Sequence, residues 1–240
     1  MGTDQAMLRI GTWNTQWAEP GNPVGNAVRR DLAGPKCDIL CVTEGCENLV
    51  PDNRNILDAG PERSSDISAE RRKVLLWSKQ PWCNVDEIRC EEHLKGRFVA
   101  GITQTPLGPL TVIGVCIPYR FSRQKVGHKQ WKDHEAWLRE FERLPHRQFT
   151  ERTVILGDFN QRIPRKWQPQ QVYASLLHAF EGFLIPTAGD VAGVPSLVID
   201  HIAHTPDMAL VGDIGLWPIR VVDNKPISDH IGVWGDFVLS

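Results

Sequence analysis

Val154-Ile155-Leu156-Gly157-Asp158-Phe159-Asn160-Gln161 is the stretch on which the reading of this chain turns. It opens with an apolar, partly β-branched run, the composition of a strand buried on both faces. The run ends at a glycine and then presents a carboxylate, an aromatic ring and a carboxamide. In extended backbone alternate residues share a face, so Asp158 and Asn160 are expected to project together while Phe159 turns into the core. Two oxygen-bearing side chains beyond the end of a buried strand are a common way to build a site in an α/β protein. An Asp/Asn turn leaving the strand is the competing reading. The rest of the chain decides between them.

The same design recurs along the sequence. Leu8 to Trp13 alternates and ends in Thr12-Trp13-Asn14, a strand with a carboxamide at its tip. Asp38 to Val42 is a second buried strand, and its tip is Thr43-Glu44. Leu197 to Ala203 reads as a strand carrying Asp200 in its middle, and Gly232 to Leu239 follows Pro226-Ile227-Ser228-Asp229-His230 as the last strand. Asn53 to Leu57, Val74 to Trp77 and Met208 to Ile214 are further strands. Arg97 to Gln104 and Leu110 to Ile117 form a pair joined by the turn Thr105-Pro106-Leu107-Gly108-Pro109. One helix is expected from about Asn22 or Val24 to Ala33, where Gly34-Pro35 stops it. A second runs from His128 to Leu144, with Trp131, His134, Leu138, Phe141 and Leu144 at helical spacing and Glu135 four before Arg139; Pro145 ends it. Gln170 to Phe180 is a third. His134 falls on the buried stripe and reads as a packed, hydrogen-bonded histidine. No repeat, low-complexity tract or linker interrupts the pattern, so residues 1–240 read as a single domain.

With 240 residues, 41% hydrophobic and 23% charged, the composition is that of an ordinary globular protein. Nothing approaches a membrane span, and Met1 to Ala6 lacks a secretory pattern. A cytoplasmic setting with reduced thiols is therefore expected. Cys37, Cys41, Cys46, Cys83, Cys90 and Cys116 contain no CxxC pair, and the histidines complete no zinc pattern. A net charge of −2 and a pI near 6.4 argue against nucleic-acid binding driven by overall charge. A local basic rim is still open. Arg71-Arg72-Lys73 ends the polar loop from Gly60 and is either a solvated face or phosphate-facing. Arg162, Arg165 and Lys166 lie near the Asp158 strand, and Trp167 beside them either packs or stacks on a base.

The polar tips collect as Asn14, Glu44, Asp158, Asn160, Asp200, Asp229 and His230. Carboxylates with one histidine and two carboxamides, and no thiolate, suit a hard divalent ion such as Mg²⁺ or Mn²⁺. Phosphoester hydrolysis needs such parts: charge withdrawn from the phosphate, a base or oriented water, and neutral donors to the anionic oxygens. Asp229-His230 would supply a metal-facing carboxylate and a general base or phosphate donor. Asp200 alternatively serves only as partner to a buried histidine such as His201.

Together Thr12-Trp13-Asn14, Thr43-Glu44, Gly157-Asp158-Phe159-Asn160, Ile199-Asp200-His201-Ile202 and Ser228-Asp229-His230 resemble, in content and order, the endonuclease/exonuclease/phosphatase superfamily. That group holds DNase I, abasic-site exonucleases, inositol polyphosphate phosphatases and neutral sphingomyelinases. The resemblance spans about residues 8 to 239. It implies a DNase I-like, four-layer α/β sandwich, two packed and mainly antiparallel sheets flanked by helices, with the site at the strand ends. It implies that Glu44 binds the metal with Asn14 and Asp229 beside the ion. Asp158 is implied to orient or deprotonate the attacking water, Asn160 to bind phosphate, and Asp200 to orient the catalytic His230.

Two departures stand out. Thr43 occupies the place where the family usually has glutamine. Cys116 falls where a tyrosine or histidine normally contacts the phosphate, which leaves Tyr119, Arg120 or His128 to cover that role, or one donor missing. The expected activity is a metal-dependent phosphodiester hydrolase, a nuclease acting on DNA or RNA, with Arg71 and Arg72 as further substrate contacts and no membrane or obligate protein partner. A phosphatase or phosphodiesterase for a small molecule or lipid headgroup is the alternative, and a non-catalytic binding module on the same scaffold is the alternative from another class.

Overall fold

Strands that are apolar on both faces need cover on both faces, so sheets of this composition are enclosed between layers. The computed structural model describes residues 6–50, 52, 54–61, 70–86, 92–144, 151–217 and 219–240. The elements are β1 (Leu8–Asn14), α1 (Pro23–Ala33), β2 (Ile39–Cys46), β3 (Ile56–Asp58), β4 (Arg71–Ser78), β5 (Trp82–Asp86), β6 (Phe98–Thr105) and β7 (Gly108–Cys116). They continue with α2 (Lys132–Glu142), β8 (Thr153–Asp158), α3 (Gln170–Ala179), β9 (Asp200–His204), β10 (Met208–Leu216), β11 (Val221–Val222), β12 (Lys225–Pro226) and β13 (Val233–Leu239). One sheet has the order β10-β13-β1-β2-β4-β3 and the other β5-β6-β7-β8-β9, with a small β11-β12 ribbon beside them.

The period-2 pattern explains the layers. Ile39 and Cys41, Val74 and Leu76, Val112, Val154 and Leu156 meet in the core between the two sheets. Their sequence neighbours Leu40, Val42, Leu75 and Trp77 face outward under α1, packed on Ala27, Val28 and Leu32. On the other sheet Ile113, Val115 and Ile155 face α2 and α3 through Trp137, Leu138, Phe141 and Leu176. The result is the four-layer α/β sandwich, with all strand pairs antiparallel except β1–β2 and β7–β8. No helix among the described residues is long and apolar enough to cross a membrane.

Helix α1 starts at Pro23, inside the expected range, with the Asn22 side chain accepting from the Gly25 N–H as a cap. Other boundaries differ from expectation. Helix α2 begins four residues after His128, because Gly127 (φ 89°) and Trp131 (φ 65°) take left-handed conformations that break the helical run. Its expected terminator, Pro145, lies outside the described residues, as does Asn53 of the strand now bounded by Ile56–Asp58. Arg71, Arg72 and Lys73 are not a loop end: they open β4 and pair with the end of β2. Asp200 is the first residue of β9 and not its middle. The short edge strand β5 was not foreseen.

Topology gathers the polar tips. Parallel β1 and β2 finish together, with Asn14 opposite Thr43. Parallel β7 and β8 also finish together, with Cys116 opposite Asp158. Strand β9 runs back from Asp158, so its first residue, Asp200, sits opposite that carboxylate. Strand β13 likewise runs back along β1, placing the residues before Val233 at the same edge. Since β1 packs over β8 and β9, both sheets present their tips at one end.

Gly157 makes the last step of β8 attainable. Its φ is +145°, and a Cβ there would overlap the Val115 carbonyl oxygen. We expect Gly157→Ala to lower stability in urea denaturation by at least about 3 kcal/mol, the combined order of strain and overpacking. A variant as stable as the parent would remove this account of how Asp158 is aimed.

Candidate active site

Asp158 is buried and accepts three hydrogen bonds. Asn14 Nδ2 (3.0 Å) and Asn160 Nδ2 (2.7 Å) donate to Oδ2, and the Asn160 backbone N–H (2.8 Å) donates to Oδ1. Asn160 meets Asp158 because its backbone turns left-handed just past the strand (φ 53°), rather than by strand alternation. Its Nδ2 also donates to the Ile117 carbonyl at 2.9 Å, which commits both amide hydrogens. In this arrangement Asn160 holds Asp158. Phe159 is buried against Phe180, with ring centroids 4.4 Å apart.

His230 is the second centre. Its Nδ1 donates to Asp200 Oδ2 at 2.9 Å, and its Nε2 lies 3.9 Å from Asp229 Oδ1. Ser228 fixes the approach by donating to the Asn14 carbonyl (2.7 Å) and accepting from the His230 backbone N–H (3.0 Å). Asp200 is wholly buried, and its Oδ1 has no hydrogen-bond partner among the described residues. Its neighbour His201 is not its partner: that ring bonds Thr187 Oγ1 and the Gln161 carbonyl instead.

Burial opposes charge on all three groups, and the neighbours decide the outcome. Burial lowers the pKa of His230, but the carboxylates of Asp200, Asp158 and Asp229 outweigh it and raise the imidazole to about 10. Burial raises Asp158 to about 7; Asp200 and Glu44 add to the rise, while His230 and Asn14 oppose it. Asp200 is raised for the same first reason, against the pull of His230. The set is thus an imidazolium among carboxylates, one of them weakly acidic.

Glu44 stands at a left-handed position (φ 49°) near the end of β2, a conformation uncommon for a residue with a Cβ. Its carbonyl accepts from the Trp17 backbone N–H (2.6 Å) and from Thr15 Oγ1 (2.9 Å), so the loop after β1 closes onto it. Lys73, across the β2–β4 pair, donates to its Oε1 at 2.6 Å. Asp229 has a side chain that is 61% exposed, and its N–H donates to Gln16 Oε1 at 3.2 Å. The Gln16 N–H in turn donates to Asn14 Oδ1 at 2.9 Å. Glu44 and Asp229 carry carboxylate oxygens and Asn14 a carboxamide oxygen, all hard donors, and the charge of Glu44 is felt at both Asp158 and Asp200. These groups fit a hexacoordinate ion of the Mg²⁺ or Mn²⁺ kind. Asp158, Asp200 and His230 also bring ligand atoms within 4.8 Å of one another, the one such group among the described residues. There a proton on His230, bonded to Asp200, supplies the compensating charge.

Direct hydrogen bonds thus join Asn14 and Asn160 to Asp158, and His230 to Asp200; the two sets approach within 4.8 Å, and Asp229 stands beside His230. Of the expected outer contacts, Arg71, Arg72 and His128 are held in ion pairs, while Tyr119 and Arg120 lie at the surface. Arg71 pairs with Glu19 (2.7 Å) and Arg72 with Asp58 (2.8 Å). Arg120 bonds Gln130 Oε1 at 3.0 Å, and Tyr119 is exposed with its ring edge-on to Phe121. His128 Nδ1 bonds Asp133 Oδ1 at 2.7 Å, and Arg123 completes that pairing through two bonds of 2.9 and 3.0 Å. Burial raises Asp133, but the bonds from Arg123, His128 and Ser122 outweigh it and hold the carboxyl at about 2. A depressed carboxyl contributes stability above its unfolded value near 4, and that contribution is lost as pH falls toward 2. Asp133→Asn should therefore cost about 2 kcal/mol at neutral pH, a gap that closes below about pH 4 in denaturant titrations. A gap that is constant with pH would contradict the pairing.

Cys116 itself is buried and offers no charge. Burial raises its thiol well above the ordinary value, with Lys73 and Arg97 pulling the other way. Arg97 Nη1 reaches its carbonyl at 3.3 Å. His134 is buried as expected: its Nδ1 donates to the Pro118 carbonyl (2.8 Å) and its Nε2 accepts from Gln161 Nε2 (2.7 Å). Cys37, Cys41, Cys46, Cys83 and Cys116 carry free thiols, and Cys90 lies outside the described residues. Sequence reasoning missed Lys73 as the partner of Glu44, and Gln16. The first follows only from strand register; the second had a signal, since it stands two residues after Asn14.

The sequence matches the profile described as Endonuclease/Exonuclease/phosphatase family over residues 11–230. No curated protein sequence matches the chain. Among solved structures it is similar to an endonuclease/exonuclease/phosphatase from Beutenbergia cavernae DSM 12333, at 18% identity and TM-score 0.61 over 98% of this chain and 72% of that one. It is similar to D. rerio TDP2 complexed with single strand DNA product, at 14% identity and TM-score 0.63 over 97% and 99%. The endonuclease domain of TRAS1, a telomere-specific non-LTR retrotransposon, matches at 17% identity and TM-score 0.60 over 97% and 99%. At these identities the likeness is one of fold.

Proposed function

The chain belongs to the endonuclease/exonuclease/phosphatase family, and from that premise we propose a divalent-metal-dependent phosphodiester hydrolase that acts on nucleic acid. The observation that carries the proposal is the juxtaposition, at one edge of two sheets, of a triply hydrogen-bonded Asp158 and an Asp200–His230 pair. The DNA product in the TDP2 complex and the endonuclease activity named for the TRAS1 domain support nucleic acid as the substrate class. The whole chain would work as one catalytic domain, and its free thiols suit a reducing, cytoplasmic setting.

Glu44, Asp229 and Asn14 would hold Mg²⁺ or Mn²⁺, which supplies positive charge to the phosphate oxygens. Asp158 is placed by Asn14 and Asn160 to accept the proton of an attacking water. His230, kept protonated and oriented by Asp200, offers Nε2–H to the negative charge that builds on phosphate, so it acts as a donor and not as a base. The second amide hydrogen of Asn14 gives a neutral donor on the same side.

The test is product release from single-stranded DNA, abasic and nicked duplex, RNA, and bis-p-nitrophenyl phosphate, with Mg²⁺ or Mn²⁺ and with EDTA. Polynucleotide cleavage that EDTA abolishes is the expected result. Turnover of the small diester alone would move the assignment to a small-molecule phosphoesterase, and silence across the panel would overturn catalysis altogether.

A further inference from the structure

The net charge of −2 conceals a segregation. Residues 117–132 hold Arg120, Arg123, Lys125, Lys129 and Lys132 and no acidic residue, and residues 161–180 hold Arg162, Arg165 and Lys166 and again none. These are the segments that leave β7 and β8, the parallel pair ending at Cys116 and Asp158. They meet beyond the site. Trp131 and Trp167 have ring centroids 6.4 Å apart, and the Arg120 and Arg162 guanidinium carbons lie 5.5 and 5.6 Å from the Trp167 ring centre. Arg120 also lies 4.5 Å over Phe121. Trp167 is not a packing residue: it is 58% exposed, with Tyr119 at 50% and Phe121 at 39%.

Three exposed rings among arginines make a surface that water does not favour and that phosphates do. Indole and phenyl faces accept stacked bases, and guanidinium groups held against them reach the linking phosphates. In a duplex the base faces are already stacked on each other, so this chemistry suits unpaired nucleotides. The surface is continuous with the site, because Arg162 stands two residues after Asn160 and Asn160 is bonded to Ile117.

We propose that the exposed rings Tyr119, Phe121 and Trp167, with Arg120 and Arg162, bind single-stranded nucleic acid by base stacking and lead it to the site. The inference deepens the hydrolase reading and takes the reacting site from it.

The experiment is fluorescence anisotropy with the full chain carrying His230→Ala, in EDTA, against labelled oligothymidylate, oligouridylate and a blunt DNA duplex. Single strands should bind at least tenfold more tightly than the duplex. Trp167→Ala in that background should weaken single-strand binding about tenfold or more, the order of one lost stacked base, and Trp167→Phe should recover most of it. Arg120→Ala with Arg162→Ala should flatten the dependence of log K on log salt by about 1.4, roughly 0.7 per phosphate contact. Comparison of the DNA and RNA strands shows whether the 2′-hydroxyl is read. Single-strand binding within twofold of the parent after Trp167→Ala, or a duplex bound as tightly as the strands, would overturn the inference. A strand that binds through Trp167 but is never cut by the wild-type chain would leave it standing and remove the hydrolase reading. Cutting that is indifferent to Trp167→Ala would do the reverse.

Discussion

His230→Ala is expected to reduce metal-dependent phosphodiester hydrolysis by at least about a thousandfold, within the range lost when a positioned acid–base group or charged donor is removed. The side chain is mostly buried, and its Nδ1 is spent on Asp200 Oδ2, so only Nε2 faces the reacting centre. The neighbouring buried imidazoles are committed elsewhere: His201 bonds Thr187 and Gln161, and His134 bonds Pro118 and Gln161. Loss of turnover must be separated from loss of fold. Removing the ring leaves Asp200 buried without its counter-charge, a change that costs about 3–5 kcal/mol when the charge stays uncompensated. Because burial already raises the Asp200 carboxyl, that group can take up a proton and limit the cost. The double variant His230→Ala, Asp200→Asn removes the unpaired charge altogether. It should recover thermal stability relative to His230→Ala and recover no turnover. Hydrolysis within tenfold of wild type in the single variant would remove His230 from the chemistry.

Asp158→Asn should also cost about a thousandfold in turnover, with a much smaller effect on the thermal midpoint. The carboxylate is an acceptor at both oxygens, toward the Asn160 N–H at one and toward two amide groups at the other. An asparagine presents an NH₂ group to one of those donors in either orientation, a mismatch worth about 1–3 kcal/mol. Against that loss, the substitution removes a charge that burial disfavours, as the rise of its pKa to about 7 shows. The two effects offset each other in stability, while the acceptor for the proton of the attacking water is gone. Single-turnover rates measured beside urea denaturation check both halves. Retention of a tenth or more of the wild-type rate would mean that another group accepts that proton.

What was legible in the sequence is what depends on local pattern. Alternation and apolar runs report which faces are buried, so the strands at DILCV and VILGD and the stripe carrying His134 could be read directly. The ordered tips Asn14, Glu44, Asp158 and Asp229-His230 likewise followed from residue type and position along the chain, whereas Asp200 read as mid-strand and stands at the start of β9. Pairings between distant segments were a different matter. The bond from Asn14 to Asp158 spans 144 residues, and Asp200 takes His230 rather than its own neighbour because β9 and β13 both run back to the edge where β1 and β8 end. Strand register put Lys73 across from Glu44 and turned an apparent basic rim into the start of β4, with Arg71 and Arg72 paired to Glu19 and Asp58. A composition count averaged the charge, whereas the contact between the β7 and β8 exits placed Arg120 and Arg162 against Trp167. Sequence determined which residues are polar, apolar or turn-forming; register and chain return decided which of them touch, because hydrogen bonds and ion pairs depend on distances that local periodicity does not contain.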